Sequence, residues 1–208
     1  KAPLGKAAFA FADIGTDRIW TMTAAERTKR DILQALLRLV DTTPFEHVTV
    51  KDICQEAGVS RPTFYAYYRD KYDCAVYLVT RQTADVFGRL GQSTDWRSAY
   101  LATFESAQEV QPALAKLTQV EDYNSIFNTT VRASREHFTE AYRRKFGVSP
   151  GPLVAFQIER FSVTASATTD DWIQHGCNPC AEVFVDYFVT LIPRELYEAF
   201  ARVEPDSA

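Results

Sequence analysis

The stretch Phe45–Lys71 constrains the fold more than any other part of the chain. Thr49 is followed three residues later by Asp52, which is the spacing of a helix capping box. Gly58 stands where a glycine can end that helix in the left-handed conformation. Ser60 and Pro62 then supply a cap and a first-turn proline for another helix. The pattern predicts two short helices joined by a tight turn, a helix-turn-helix.

The second helix of this pair, which we call the recognition helix, has two different faces. Phe64 and, one turn later, Tyr68 are expected to point inward. The opposite face carries Arg61, which suits guanine, and Pro62, whose apolar atoms suit a thymine methyl. Tyrosine and threonine hydroxyls on this face, such as that of Tyr65, suit phosphate oxygens. The sequence therefore predicts a helix that enters a DNA groove.

The pattern T-V-x-D-I-x-x-x-A-G-V-S-x-x-T-F-Y-x-Y-Y-x-D-K, from Thr49 to Lys71, resembles the DNA-binding domain of tetracycline-repressor-like (TetR) regulators. The resemblance extends over Ala24–Asp73. It implies an all-α homodimer, in which an N-terminal three-helix domain binds DNA and a larger helical domain binds a ligand and the partner subunit. The DNA-binding residues that it implies, with Ser60 added from the start of the recognition helix, are Thr49, Lys51, Ser60, Arg61, Pro62, Thr63, Tyr65, Tyr67 and Lys71.

The charge of the chain does not favour DNA binding by bulk attraction. The formal net charge is −4, and Ala24–Asp73 holds eight basic and eight acidic residues, which sum to zero. DNA binding needs a local positive face, for which Lys51, Arg61, Arg69 and Lys71 are the candidates. We therefore expect weak non-specific binding with a shallow dependence on salt.

The remaining chain also has helical periodicity, which predicts an all-α protein. We expect an N-terminal extension over 1–23, a DNA-binding domain over 24–72 and a helical ligand-binding and dimerisation domain over 73–208. The apolar residues of Lys1–Trp20 predict that the extension docks on a protein surface. The predicted helices are Ala24–Asp41, Lys71–Leu90, Trp96–Glu109, Pro112–Gln119, Glu121–Phe146, Pro152–His175, Pro179–Leu191 and Pro193–Val203.

Two late helices are apolar around most of their circumference, which requires burial on more than one side. They form either a deep core or, as we favour and as the resemblance also implies, a four-helix dimer seam. The dimer candidates are Phe156, Phe161, Val163, Phe184 and Phe188.

Aromatic residues of the middle helices are candidates for lining a small-molecule pocket, although such residues are more often core. The ligand candidates are Phe104, Tyr123, Phe127, Phe138 and Tyr142. The expected effector is an apolar or aromatic small molecule of unknown identity, because ligand pockets are mostly apolar.

The segment His175-Gly-Cys177-Asn-Pro-Cys180 admits three interpretations: a structural turn, a redox dithiol or part of a metal site. We favour the structural one, because a zinc site needs about four ligands and Asn178-Pro179 suits the start of a helix. Cys54 and Cys74 are expected to be buried apolar residues. We expect no metal and no cofactor.

These patterns favour a repressor that a small-molecule effector releases from a palindromic operator in double-stranded DNA. The alternative is an activator or co-regulator whose C-terminal domain binds a protein partner. An enzyme is not expected, because the sequence contains neither a phosphate-binding loop nor a nucleophile motif. No apolar run approaches the ~20 residues that a membrane span needs, so the cytoplasm is the expected location.

Overall fold

The computed structural model describes residues 23–91, 93–118 and 123–201, and for residues 79, 81–86, 118 and 123–126 it describes the backbone alone. The predicted extension Lys1–Trp20 lies outside these residues. Helices and turns account for the described chain, with no β-strand in it. The α-helices are α1 (Ala24–Thr42), α2 (Val50–Ala57), α3 (Arg61–Tyr65), α4 (Lys71–Phe87), α5 (Trp96–Glu109), α6 (Gln111–Thr118), α7 (Tyr123–Phe146), α8 (Pro152–Gln174), α9 (Ala181–Phe188) and α10 (Arg194–Phe200), and two 3-10 helices cover Phe45–His47 and Val189–Leu191.

The chain divides into two compact units. The first unit comprises Lys1–Leu78 and Glu109–Ile126, and the second comprises Val79–Gln108 and Phe127–Ala208. The predicted domain boundary at residue 72 put all later residues in one domain. The structure instead groups α6 with the N-terminal helices, where Lys116 Nζ donates a hydrogen bond to the carbonyl of Asp41 at 2.6 Å, near the end of α1.

The first unit is built around α1, whose apolar side is buried. Thr23 and Glu26 form a capping box at its start, which fixes where the helix begins. The ion pair between Arg38 and Glu56, at 2.6 Å, links α1 to α2 on the surface. The core residues of this unit include Ile32, Leu36, Val40, Phe45, Val48, Ile53, Phe64, Cys74 and Leu78.

The second unit has a core of interlocking aromatic rings. Tyr100 and Phe188 lie 4.4 Å apart between ring centroids, and Phe104 and Phe184 lie 4.8 Å apart. Trp172 stacks on Phe184 at 4.6 Å. Such ring pairs contribute about 0.5–1.5 kcal/mol each beyond the burial of their area. The aromatic residues of the middle and late helices therefore hold this unit together.

This core corrects part of the predicted dimer seam. Phe161, Phe184 and Phe188 are buried inside their own subunit, because they point toward the rings of α5. Phe156 and Val163 are exposed, as a seam requires, with 61% and 36% of their surface accessible. The deep-core interpretation therefore applies to the buried faces of these helices, and for the exposed faces the dimer seam stays a prediction.

Some of the predicted ligand residues belong to the core, and others are partly accessible. Phe104 and Phe138 are fully buried and packed against other rings, so they are core residues. Phe127 and Tyr142 are half-buried. The side chain of Tyr123 lies outside those that the structure describes.

The segment around Cys177 and Cys180 is a turn that precedes a helix. α9 begins at Ala181 with Cys180 as its N-cap, two residues later than predicted. Just before this cap, the carbonyl of Pro179 accepts a hydrogen bond from Trp172 Nε1 at 2.7 Å. Cys177 is buried, and burial raises its thiol pKa to about 11. Cys180 is exposed. A reactive dithiol needs a lowered pKa, so Cys177 favours the structural interpretation.

The described residues also bear on the predictions about a membrane span and a metal site. No helix within them is both long and apolar enough to cross a membrane. In the same residues, His, Cys, Asp and Glu side chains form no group of three or more that could hold a metal ion.

Candidate nucleic-acid interface

Local hydrogen bonds fix the first helix of the predicted pair. The hydroxyl of Thr49 accepts from the backbone N–H of Asp52 at 3.2 Å, and the carboxylate of Asp52 accepts from the backbone N–H of Thr49 at 2.9 Å. These bonds form a capping box at the start of α2. Hydrogen bonds that the Asp52 carboxylate accepts from the hydroxyl and then from the backbone N–H of Thr49 hold its pKa below the usual value.

The turn between α2 and α3 is set by one glycine. Gly58 has φ 67° and ψ 28°, a left-handed conformation that costs other residues free energy. The N–H of Val59 then donates to the carbonyl of Cys54 at 2.9 Å, which closes the end of α2. The glycine therefore determines the angle at which α3 leaves the turn.

The recognition helix α3 is held by its cap and by one buried ring. Ser60 Oγ accepts from the backbone N–H of Thr63 at 3.2 Å. Phe64 is fully buried and contacts Tyr68. On the opposite side of this short helix, Arg61, Pro62 and Tyr65 are exposed. The structure thus presents the two predicted base-contacting residues, Arg61 and Pro62, together with Tyr65, a predicted phosphate contact.

The caps occupy some of the hydroxyls that the sequence analysis assigned to phosphates. The Thr49 hydroxyl donates to Asp52 Oδ2 at 2.6 Å. The Ser60 and Thr63 hydroxyls share one hydrogen bond at 2.7 Å, which leaves one of the two O–H groups free to donate. Lys51, Tyr65 and one hydroxyl of the Ser60–Thr63 pair are therefore better candidates for binding phosphate than Thr49, whose hydroxyl proton is used in the cap.

Lys71 lies elsewhere than the prediction placed it. Its ammonium donates three hydrogen bonds to backbone carbonyls, those of Phe45, Glu46 and Val48, at 2.9, 2.8 and 2.9 Å. An ammonium has three donors, so these bonds use all of them. A phosphate contact would have to break one, and we therefore correct its role to fixing the start of α4 against the segment before α2.

One cation near the recognition helix was not foreseen. Lys29 of α1 directs its ammonium at the rings of Tyr67 and Tyr77, at 5.5 and 5.6 Å from their centroids. Local sequence patterns carry no signal for this contact, because the two rings lie 38 and 48 residues further along the chain. The positive surface beside α3 therefore includes a residue of α1.

The geometry of α2, the turn at Gly58 and α3 is that of a helix-turn-helix, a motif by which many proteins bind DNA. Residues 32–78 match the family described as bacterial regulatory proteins, tetR family. Residues 32–78 therefore match the DNA-binding domain of the TetR family.

Two known proteins show how far the likeness extends. The helix-turn-helix-type transcriptional regulator YxbF of Bacillus subtilis (strain 168) is 26% identical over 121 residues, which are 58% of this chain and 30% of that protein. The chain thus matches less than a third of the length of this relative. The dihydroxyacetone kinase operon activator DhaS has a similar fold, with a TM-score of 0.60 at 18% identity over 86% of this chain and 98% of that one.

Proposed function

We propose that the chain acts as a homodimeric transcriptional repressor that a small-molecule effector releases from a palindromic DNA operator. The observation that carries this proposal is the exposed face of α3. Arg61, Pro62 and Tyr65 are exposed on a helix whose other side is anchored by Phe64. A side-chain set of this chemistry suits base edges and phosphates.

Exposed apolar residues on the second unit support a homodimer. On α8 they recur at the spacing of one helix face, at Leu153, Phe156 and Val163. On α9 and just beyond it, Val183, Tyr187 and Leu191 repeat every four residues. Large apolar patches of this kind mark interaction surfaces. We propose that both faces form the seam with a second copy of the chain.

A two-fold dimer explains how so few charges give a specific complex. It would present two copies of Arg61 to successive major grooves, about 34–36 Å apart, and so would require a palindromic site. The effector would act by stabilising a dimer with a different spacing, and its effect is limited by its preference for that state. With Phe104 and Phe138 assigned to the core, Phe127 and Tyr142 stay as the described candidates for contacting it.

The DNA face can be tested by fluorescence anisotropy on an operator obtained by in vitro selection. We expect Arg61→Ala to weaken binding about tenfold or more, because a bidentate base contact contributes roughly 1–3 kcal/mol. Tyr65→Ala, which removes the predicted phosphate contact, should also weaken binding. Arg135→Ala, which removes an exposed arginine of the second unit, is the matched control and should bind as wild type does. If both substitutions on α3 leave the affinity unchanged, the assigned face is wrong.

The sign of regulation needs a separate measurement. The same fold occurs in a protein that is described as an operon activator. We therefore propose a reporter gene controlled by the selected operator, expressed with and without the chain. Lower expression with the chain supports repression, and higher expression supports the activator alternative.

A further inference from the structure

We propose that Lys29 and Tyr67 together bind a phosphate of the DNA backbone, so that the DNA contact extends from the helix-turn-helix onto α1. This inference rests on the proposed DNA-binding function and deepens it. It adds a cation that the sequence pattern did not assign to the DNA face.

Three separate elements hold Lys29 in place. Its own helix is α1, Tyr67 follows the end of α3 by two residues, and Tyr77 lies on α4. The ammonium lies 5.5 Å from one ring centroid and 5.6 Å from the other, within the range of a cation–π contact. Contacts from two directions restrict where the lysine can point, although the side chain is only half-buried.

The rings orient this cation without neutralising it. A carboxylate partner would cancel the charge, as Glu56 does for Arg38 and Asp73 does for Arg69. In the described ranges Lys29 makes no ion pair, and tyrosine rings are uncharged at neutral pH. The full positive charge of Lys29 therefore stays available to an anion.

The hydroxyl of Tyr67 supplies the second donor. Tyr67 is half-buried, and within the part of the chain that the structure describes its hydroxyl makes no hydrogen bond. An ammonium over the ring and an O–H at its edge can bind two oxygens of one phosphate. DNA phosphates are the anions that this position would meet, because Tyr67 comes two residues after the exposed Tyr65 of the recognition helix.

A purely structural role for Lys29 makes a different prediction. If it only holds α1 against α4, its loss should lower stability and affinity without changing how the affinity depends on salt. A lost phosphate contact instead lowers the slope of log affinity against log salt by about 0.9. The salt slope therefore separates the two roles.

The experiment measures fluorescence anisotropy of the full chain with the selected operator and with a scrambled duplex, over a series of KCl concentrations. For Lys29→Met we expect weaker binding to both duplexes and a slope smaller by about 0.9 per subunit, or about 1.8 per dimer. Lys29→Arg should restore most of the slope. Tyr67→Phe should weaken binding with the slope kept, because a hydroxyl is neutral.

Arg135→Met is the control, since it removes one exposed positive charge from the second unit and should leave the slope unchanged. Circular dichroism on each variant confirms that it is folded before its slope is used. A wild-type slope for folded Lys29→Met overturns the inference while leaving the proposed function intact. Failure of the wild-type chain to bind any duplex overturns the proposed function itself.

Discussion

The two units of the molecule are stabilised in different ways. In the first, the helices α2 and α3 begin and end at polar groups or a glycine: Thr49 with Asp52, Gly58, and Ser60 with Thr63. In the second, helices such as α5, α8 and α9 are held by rings that fill the space between them, among them Phe161 and Phe188. The first unit depends on where hydrogen bonds form, and the second depends on how large side chains pack.

This difference explains which features a substitution can change locally. A polar cap is a contact between neighbours in sequence, so its loss affects one helix end. An aromatic ring in the second unit touches rings from several helices, so its loss leaves a cavity that distant elements share. Exposed side chains of α3 can therefore vary with little effect on folding, which is how one scaffold can serve different DNA sequences.

The largest effect should come from paired substitutions on α8. Phe161 is 2% exposed and Phe156 is 61% exposed on the same helix. We expect Phe161→Ala to lower the free energy of unfolding by about 3–5 kcal/mol through the cavity it leaves. Phe156→Ala should change it by less than about 0.5 kcal/mol at concentrations where the chain is a monomer.

Urea unfolding measures both free energies, and analytical ultracentrifugation then checks the seam. Phe156→Ala should shift the chain toward the monomer. Equal losses of stability in the two alanine variants would contradict the different roles of Phe161 and Phe156. Sedimentation of Phe156→Ala like that of wild type would contradict the place of Phe156 in the seam.

A smaller difference in stability is expected between alanine substitutions at two glycines that have a left-handed backbone conformation. Gly58 and Gly91 have φ of 67° and 75°, so alanine at either should cost about 1–2 kcal/mol. At Gly58 no atom of the described residues beyond the neighbouring chain lies within 4 Å of an added Cβ, whereas at Gly91 that Cβ would lie 2.6 Å from Phe200 Cδ1. Overpacking should therefore add about 1–3 kcal/mol to the cost of Gly91→Ala.

Thermal and urea unfolding of the two alanine variants provide the measurement. Equal losses of stability would show that the second unit can move Phe200 aside, and that its packing is less constrained than we infer.

The smallest effect should come from the cap of α2, and it should depend on pH. Thr49→Val removes the N-cap hydroxyl and should cost about 1 kcal/mol at neutral pH. Hydrogen bonds from Thr49 lower the pKa of Asp52 in the folded chain. Its contribution is therefore present above the ordinary pKa of aspartate and disappears as the pH falls through the lower folded value.

Urea unfolding of wild type and Asp52→Asn at a series of pH values tests this sign. The two curves should differ at neutral pH and converge in acid. A difference that grows as the pH falls would contradict the capping role.

Features encoded by neighbouring residues could be predicted from the sequence. The capping box at Thr49, the turn at Gly58 and both ends of the helix Trp96–Glu109 follow from such signals, and the structure has them there. The family match over residues 32–78 confirms the class of domain. These predictions succeed because a cap or a turn involves residues only a few positions apart.

Features that depend on distant residues could not be predicted. Lys71 binds carbonyls more than twenty residues earlier, and Lys29 meets rings from two other helices. The apolar pattern of α8 likewise does not say which side faces its own core, so Phe161 and Phe156 received the same role. Only the packed fold decides such assignments.

The hydrogen bond from Lys116 to the carbonyl of Asp41 has a consequence for how the protein is made. The first unit is not one continuous piece of chain, because Glu109–Ile126 completes it after thirty residues that belong to the second unit. A fragment that ends at Leu78 would lack α6, and with it Lys116, which donates the hydrogen bond to Asp41 near the end of α1. During synthesis, the DNA-binding unit therefore cannot acquire its full set of contacts until α6 has left the ribosome.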